Sequence, residues 1–518
     1  MRLSFNLIAL LLLACFALPV PAEQAKTIEY EAWYTLKLGG QKAGYMHASL
    51  EEEDGKLINK TSMVLTIKRG DVDMRIEQAS RFIETLDYKP LRSSSSMKFA
   101  LMATEQEIDF TGDQWVVTSR NAGQETRSKV EPPKIKWMTP GAMTDYVLQA
   151  IENGDKDITV TSLDPTMGTT PIKTQMTRGE TENLEVFGKT IAATKWVTRT
   201  TAAPGVEIEQ WSDENGIPVK QRIPMLPGME VEMLLADKEL ALAEFDAPEL
   251  LAASLIEPDM AIRNPRKLKR AVFDLVGEDL KENVGDAVPE AGFQQTEWVD
   301  GKTLRVTIDL NKPVIPERFI VAGEAMNASS MLNFKDEAIQ KLIKQAVDPS
   351  AIKQADKNPS PEPGIKARQQ AARSLRDFVR DHIEQKDLSV GFASASEVAR
   401  TGRGDCTEHA CLLAAMLRGA GIPSRTVTGL VYADQFAGRK DIFGFHMWTQ
   451  AWGVDEQGNR RWIDLDAALP GDIDGFDATH IALSTSTMQD GEGFNDMVTL
   501  FPLMQGLEVK VIELEWAQ

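Results

Sequence analysis

Gly404-Asp405-Cys406-Thr407-Glu408-His409-Ala410-Cys411-Leu412-Leu413-Ala414-Ala415-Met416-Leu417-Arg418-Gly419-Ala420-Gly421-Ile422-Pro423 is the stretch on which the reading of the chain turns. Gly402-Arg403-Gly404 interrupts what precedes it, and Asp405 is a residue type that caps helices. Leu412, Leu413 and Met416 then carry a helix from Cys406 to Ala420, which Gly421 and Pro423 end. Cys406 therefore stands in the first turn, where unpaired N–H groups and the positive end of the helix dipole favour a thiolate over a thiol. Its own backbone N–H is unpaired there, a natural half of an oxyanion hole.

Downstream of that helix, Ser424 to Ala433, His446 to Val454 and Arg461 to Asp466 read as strands, and Leu507 to Trp516 as a fourth. An antiparallel pair about Asp455-Glu456-Gln457-Gly458-Asn459, centred on 456, sets His446 opposite Asp466 and puts both side chains on one face. A nucleophile at a helix start, a base on a strand beyond it and a carboxylate to orient that base form the thiol version of a catalytic triad. Asp464 shares the face and competes with Asp466 as the orienting group. Upstream, Ala371, Leu375, Phe378, Val379 and Ile383 make one apolar stripe of a helix from Ile365 to Lys386. Ser394-Ala395-Ser396-Glu397 has the spacing of a capping box.

These residues resemble a family. Gly404-Asp405-Cys406-Thr407-Glu408-His409-Ala410, Leu417-Arg418 with Gly421-Ile422-Pro423-Ser424-Arg425 and Gly429, His446-Met447-Trp448, and Trp462-Ile463-Asp464-Leu465-Asp466 look like the bacterial transglutaminase-like domains of papain-like fold, over roughly residues 366 to 500. The resemblance implies Cys406 as nucleophile, His446 as general base and Asp466 as orienter, the last because the family's carboxylate follows Trp-x-x-Leu/Phe. Ala467-Ala468 departs from the Pro-Thr or Pro-Ser that members often carry. The family implies acyl transfer through a thioester, resolved by water or by an amine; it holds cross-linking enzymes, proteases and amidases.

Simpler roles account for the neighbouring residues. Cys411 lies about 140° around the helix from Cys406, so a disulfide between them would break the helix, and Cys411 reads as a buried apolar residue. Cys406 and His409 have Cys-x-x-His spacing, yet no second pair stands near, so no metal and no cofactor is expected. His409 reads as packing behind the nucleophile. Trp448, Trp452 and Trp462 read as core, and His47, His382 and His480 have no sequence companions that raise them above structural or surface roles. Glu51-Glu52-Glu53-Asp54 lacks the spacing of a calcium loop.

Toward the N-terminus the text changes to short apolar or alternating runs between Gly, Asp and Asn turns, the pattern of a large antiparallel β-domain over 23–236, with one helix at Trp137 to Asn153. A helical patch at Asp237 to Ile256 leads into a small β-sandwich-like domain, 237–325, with strands at Val272 to Val276 and Thr303 to Leu310. A helix at Asn327 to Ala346 and a proline-rich linker at Asn358 to Gly364 fill 326–364, and 365–518 is the transglutaminase-like, papain-like α+β domain. The fold class expected is thus α+β multidomain.

Residues 1–22 read as a signal peptide: Arg2, an apolar core from Leu7 to Leu18, then Val20-Pro21-Ala22 before Glu23. That core is too short to span a bilayer, so no transmembrane helix is expected in the mature protein. Leu12-Leu13-Ala14-Cys15 alternatively suits a lipid anchor at Cys15. The expected location is periplasmic or secreted, or anchored in the cell envelope. Acidic residues outnumber basic ones by 77 to 57, a net charge of −20 that repels a phosphate backbone, so nucleic acid is not an expected partner. A peptide or protein substrate is. The function expected is exported, cysteine-dependent acyl transfer on amide bonds through Cys406, His446 and Asp466; the alternative is a catalytically silent envelope binding or scaffolding protein.

Overall fold

The protein is described by a computed structural model, which covers residues 30–69, 72–99, 102–121, 124–186, 188–226, 229–249, 255–278, 280–281, 288–315, 323–348, 361–386, 393–454, 459–470, 475–489 and 506–517. The expected signal peptide and Cys15 lie outside these residues. Two compact units make up the chain, one running to Pro248 apart from Arg69–Val72, the other from Glu249 onward.

In the first unit, strands β1 (Tyr30–Leu38), β2 (Gln41–Glu53), β3 (Lys56–Arg69), β4 (Val72–Thr85), β5 (Pro90–Phe99), β6 (Met102–Asp109), β7 (Trp115–Asn121) and β8 (Gln124–Val130) follow one another as a meander. A second meander is formed by β9 (Asp157–Ser162), β10 (Ile172–Val186), β11 (Lys189–Thr200), β12 (Ala203–Ser212), β13 (Pro218–Leu226) and β14 (Met229–Ala236). Pairing of β1 with β14, from Trp33 opposite Ala236 to Leu38 opposite Val231, joins the two into one 14-stranded sheet. The period-2 pattern is plain in β9, where Ile158, Val160 and Ser162 are buried and Asp157 and Thr159 exposed. Helix α1 (Pro140–Glu152) packs Met143, Val147 and Ala150 on Ile158, Val160, Met176 and Trp196. It is shorter than the expected Trp137–Asn153, because Pro140 fixes its start and Met138 is drawn into a bridge with Ser162. Its cap is remote: Thr139 makes no side-chain cap bond, and buried Glu84 on β4 accepts from Gly141 N at 2.8 Å. Among the described residues, the helical patch expected over Asp237–Ile256 reduces to α2 (Lys238–Leu242), capped by Asp237; 250–254 lie outside them. Ile256 instead pairs with Phe443 as an isolated bridge.

The second unit holds two four-stranded sheets. One has the order β16 (Gln294–Trp298), β17 (Thr303–Asp309), β15 (Leu268–Val276), β22 (Glu508–Trp516); the other β20 (Arg460–Leu465), β19 (Arg439–Val454), β18 (Ser424–Phe436), β21 (Ile481–Ser486). The expectation of a self-contained β-sandwich at 237–325 is therefore corrected. Its strands take β22 from the far end of the chain, Phe273 facing Val511 in register, and Phe273, Leu275, Val306 and Ile308 share one core with Val427, Tyr432, Phe443 and Trp448. Three strands alone would have left that apolar face in water, so the second sheet covers it.

The other face of the β18–β21 sheet carries the helices. These are α3 (Glu337–Ala346), α4 (Pro361–His382), α5 (Ala395–Thr401) and α6 (Cys406–Gly419), packed through Ile339, Leu375, Val398 and Leu412 onto Ala451 and Leu465. Helix α4 starts at Pro361, inside the stretch expected to be linker, since prolines are tolerated in a first helical turn, where no intrahelical N–H bond is lost. Helix α3 is shorter than the expected Asn327–Ala346, because Asp336 caps it by accepting from Ala338 N at 2.9 Å. The central helix α6 buries nearly every side chain, including Arg418, whose guanidinium donates to the carbonyls of Asn327, Ser424 and Thr487 at 2.7, 2.9 and 2.7 Å. A buried cation persists where its terminal nitrogens are bonded in this way.

Candidate active site

Helix α6 begins at Cys406 for a local reason. The Asp405 side chain accepts from Thr407 N at 2.9 Å, and the Glu408 carboxylate accepts from Asp405 N at 2.9 Å and from Ala393 N at 2.9 Å. This capping box is wholly buried at Glu408, and burial, with the Asp405 carboxylate beside it, pushes the Glu408 carboxyl up to about 8. Gly404 is required here, since a Cβ on it would stand 2.2 Å from Glu408 Cβ. The cap leaves Cys406 half-buried in the first turn with a free thiol, while Cys411 is fully buried and free, its thiol pushed up by desolvation.

His446 projects from β19 with 6% of its surface exposed. Its Nε2 lies 2.6 Å from Asp466 Oδ2, and the Cys406 thiol also interacts with the imidazole. Burial opposes charge on His446; Asp466 and the Cys406 thiol outweigh it and raise the imidazole to about 10. Asp466 follows the last residue of β20 and is fully buried. Its Oδ1 accepts from Ala468 N at 2.7 Å and Leu469 N at 3.2 Å, and its carbonyl accepts from Arg376 Nε on α4 at 2.6 Å. Against the cost of burial, the two imidazoles beside it hold the carboxyl well below its usual range. The structure thus brings Cys406, His446 and Asp466 together.

The register by which this happens differs from the expected one. Thr449 faces Leu465 and Gln450 faces Asp464, so the hairpin is centred on 457 rather than 456 and Asp466 falls level with Trp448. A slip of two residues preserves the face of every side chain, which is why the expected partnership survives. Asp464, the competing orienter, is committed elsewhere: its Oδ1 accepts from Trp448 Nε1 at 2.9 Å and Gln450 Nε2 at 2.7 Å, and burial raises its pKa. Trp448 is a core residue, 1% exposed. His409 is also buried; its Nδ1 lies 2.5 Å from the Asp405 carbonyl, and burial lowers its pKa.

His480 is the residue the sequence reading passed over. It lies just before β21, fully buried, with Nε2 at 3.1 Å from Asp466 Oδ2 and Nδ1 at 3.1 Å from the Asp477 carbonyl. No local pattern links it to the other site residues, because its partnership forms only once β20 and β21, the two edge strands of one sheet, are in place. The Asp466 oxygen and the His446 and His480 nitrogens lie within 4.8 Å of one another, near enough to be compared with a metal site. At 2.6 and 3.1 Å from Asp466 Oδ2, however, both nitrogens already stand at hydrogen-bond distance from the oxygen a metal would need.

A thiol at a helix N-terminus, an imidazole on the adjoining sheet and a carboxylate behind it define a papain-like cysteine site. Residues 361–467 match the family model of the transglutaminase-like superfamily, so that stretch is a transglutaminase-like domain. No curated protein matches the chain. Among solved structures, a β-barrel-like protein of a domain of unknown function from Brucella abortus is similar at 12% identity and a TM-score of 0.32, covering 41% of this chain and 98% of that one. A candidate cysteine protease from Cytophaga hutchinsonii is 14% identical with a TM-score of 0.24, covering 48% of this chain and 85% of that one. A candidate protease from Parabacteroides distasonis is 11% identical with a TM-score of 0.15, covering 75% of this chain and 69% of that one.

Proposed function

We propose that the second unit is a cysteine-dependent amide hydrolase, with Cys406 as nucleophile, His446 as general base and acid, and Asp466 as the group that orients and charges His446. The observation that carries this reading is the 2.6 Å pair of His446 Nε2 with Asp466 Oδ2, with the Cys406 thiol bonded to the same imidazole. With His446 raised to about 10, the imidazole holds a proton at neutral pH, the countercharge a thiolate needs. The Cys406 sulfur attacks the amide carbonyl, and the resulting oxyanion is met by the Cys406 N–H at the helix start. His446 gives its proton to the leaving amine as the C–N bond breaks, leaving a thioester. Water then attacks the thioester while His446 takes its proton, and the carboxylic acid departs as Cys406 is restored. Water is the proposed acceptor, in preference to a second amine.

Peptide or protein amides are the proposed substrates, and export to a periplasm or beyond is the proposed setting, supported by the first 22 residues. The test is a peptide library incubated in 18O-water with a tagged primary amine present. Heavy oxygen in new C-termini is the expected outcome, absent with Cys406→Ala. Tagged amides instead would make the enzyme a transamidase, and equal turnover by Cys406→Ala would overturn the reading.

A further inference from the structure

The triad uses one imidazole, yet Asp466 is held by two. His480 Nε2 sits 3.1 Å from the same oxygen, Oδ2, that faces His446. Its ring is fully buried, stacked on Phe476 at 4.4 Å between centroids and edge-on to Trp448 at 5.3 Å. Behind it, Nδ1 lies 3.1 Å from the Asp477 carbonyl and 3.6 Å from Asp477 Oδ1, and Asp477 is bonded by Arg266 at 2.6 Å. Arg266 lies in the turn Pro265–Lys267 that leads into β15, so the row ends on the other sheet. His480 lies beyond residue 467, where the family match stops.

We propose that His480 is a positioning residue for the active site: it donates to Asp466 Oδ2 and fixes the carboxylate in the one orientation that presents a lone pair to His446. The proposal rests on the reading of Cys406, His446 and Asp466 given above. Asp466 stands at the end of a strand, and a carboxylate there turns about its side-chain torsions unless both oxygens are tied. The N–H groups of Ala468 and Leu469 tie Oδ1, and His480 ties Oδ2 beside His446. Asp477 and Arg266 in turn fix the ring of His480, as outer partners fix the ligands of buried polar sites. Phe476 and Trp448 pack against the His480 ring and bury it.

Two substitutions separate a donor from a filler. His480→Gln keeps an N–H within reach of Asp466 and loses the ring; His480→Phe keeps the ring's shape against Phe476 and Trp448 and loses the donor. The readout is the downfield proton signal of the His446–Asp466 hydrogen bond in protein labelled with 15N at histidine, together with the rate of Cys406 alkylation at pH 6. The expected result is a signal kept in His480→Gln and lost in His480→Phe, with alkylation slowed about tenfold or more only in the latter. A signal kept in His480→Phe, or lost in His480→Gln, overturns the proposal and leaves His480 a packing residue. Should His480→Phe fail to fold, Asp477→Asn, which leaves the ring and removes the charge behind it, is read in the same way: a displaced signal supports the proposal and an unchanged one overturns it. The signal does not depend on a reactive thiol. A wild-type Cys406 no faster than Cys411 would therefore sink the enzyme reading while the spectra still decide the role of His480.

Discussion

At the scale of the residue, two aspartates on one face, Asp464 and Asp466, have been given opposite tasks by their neighbours. Asp464 accepts from Trp448 and Gln450 and is pushed toward its neutral form by burial, whereas Asp466 is equally buried but kept ionised by imidazoles. Asp466→Asn should therefore lower kcat/KM for any amide substrate by about 100-fold or more, the usual scale for disabling an acid–base pair. Asp464→Asn, which preserves an acceptor oxygen for Trp448, should stay within about fivefold of wild type. Steady-state kinetics of the two proteins check this, and equal losses would contradict it. Cys406, His446 and Asp466 could be named as candidates from the sequence because each sits inside its own local pattern. His480 was not, since what makes it matter is a contact with Asp466 formed across the fold, and a lone histidine in sequence carries no sign of it.

The elements show the same division between local and distant causes. Helix α6 and its start at Cys406 could be read from Gly404, Asp405 and Pro423, and the capping box of α5 from Ser394 and Glu397, because caps are short-range chemistry. Gly404→Ala should destabilise the protein by about 1–3 kcal/mol, the range for overpacking, since its Cβ would lie 2.2 Å from Glu408 Cβ. A melting temperature unchanged by the substitution would show that the box relaxes freely. The cap of α1 was not legible, because its acceptor, Glu84, is 57 residues from Gly141 in sequence. Glu84→Ala removes that acceptor and should cost about 0.5–2 kcal/mol, the range for a lost cap, while Glu84→Gln keeps an oxygen and should cost less. Chemical denaturation of both variants measures the difference. The hairpin of β19 and β20 shows how a wrong register can give a right face: a slip of two preserves side-chain parity, and a slip of one would have turned Asp466 away from His446.

For the whole molecule, the domain boundary was the least legible feature. Sequence puts it in the prolines near residue 360, yet Phe273 and Val306 share a core with Tyr432 and Trp448, and β22 pairs with β15. A fragment of 249–518 should therefore fold cooperatively, while 365–518 should not, as judged by near-ultraviolet circular dichroism. A native-like 365–518 would refute the shared core. Stability should also follow pH in a defined way. His446, raised from 6.5 to about 10, and Glu408, raised from 4.5 to about 8, bind protons more tightly when folded. Their contribution is whole below the unfolded values and fades as pH rises through 8 and then 10. Asp466, lowered, contributes above its ordinary 3.8 and loses this as pH falls further. Calorimetry should show the melting temperature of the second unit declining as pH rises from about 4.5 to about 10, first through Glu408 and then through His446, and falling again below about pH 4 through Asp466; a flat profile would contradict the buried pair. The central claim is tested most directly by the rate of Cys406 alkylation against pH, followed by mass spectrometry in wild type and His446→Ala, with Cys411 as the internal control. The account predicts fast labelling of Cys406 well below pH 8 that collapses in the mutant, while labelling as slow as that of Cys411 and indifferent to His446 would contradict it.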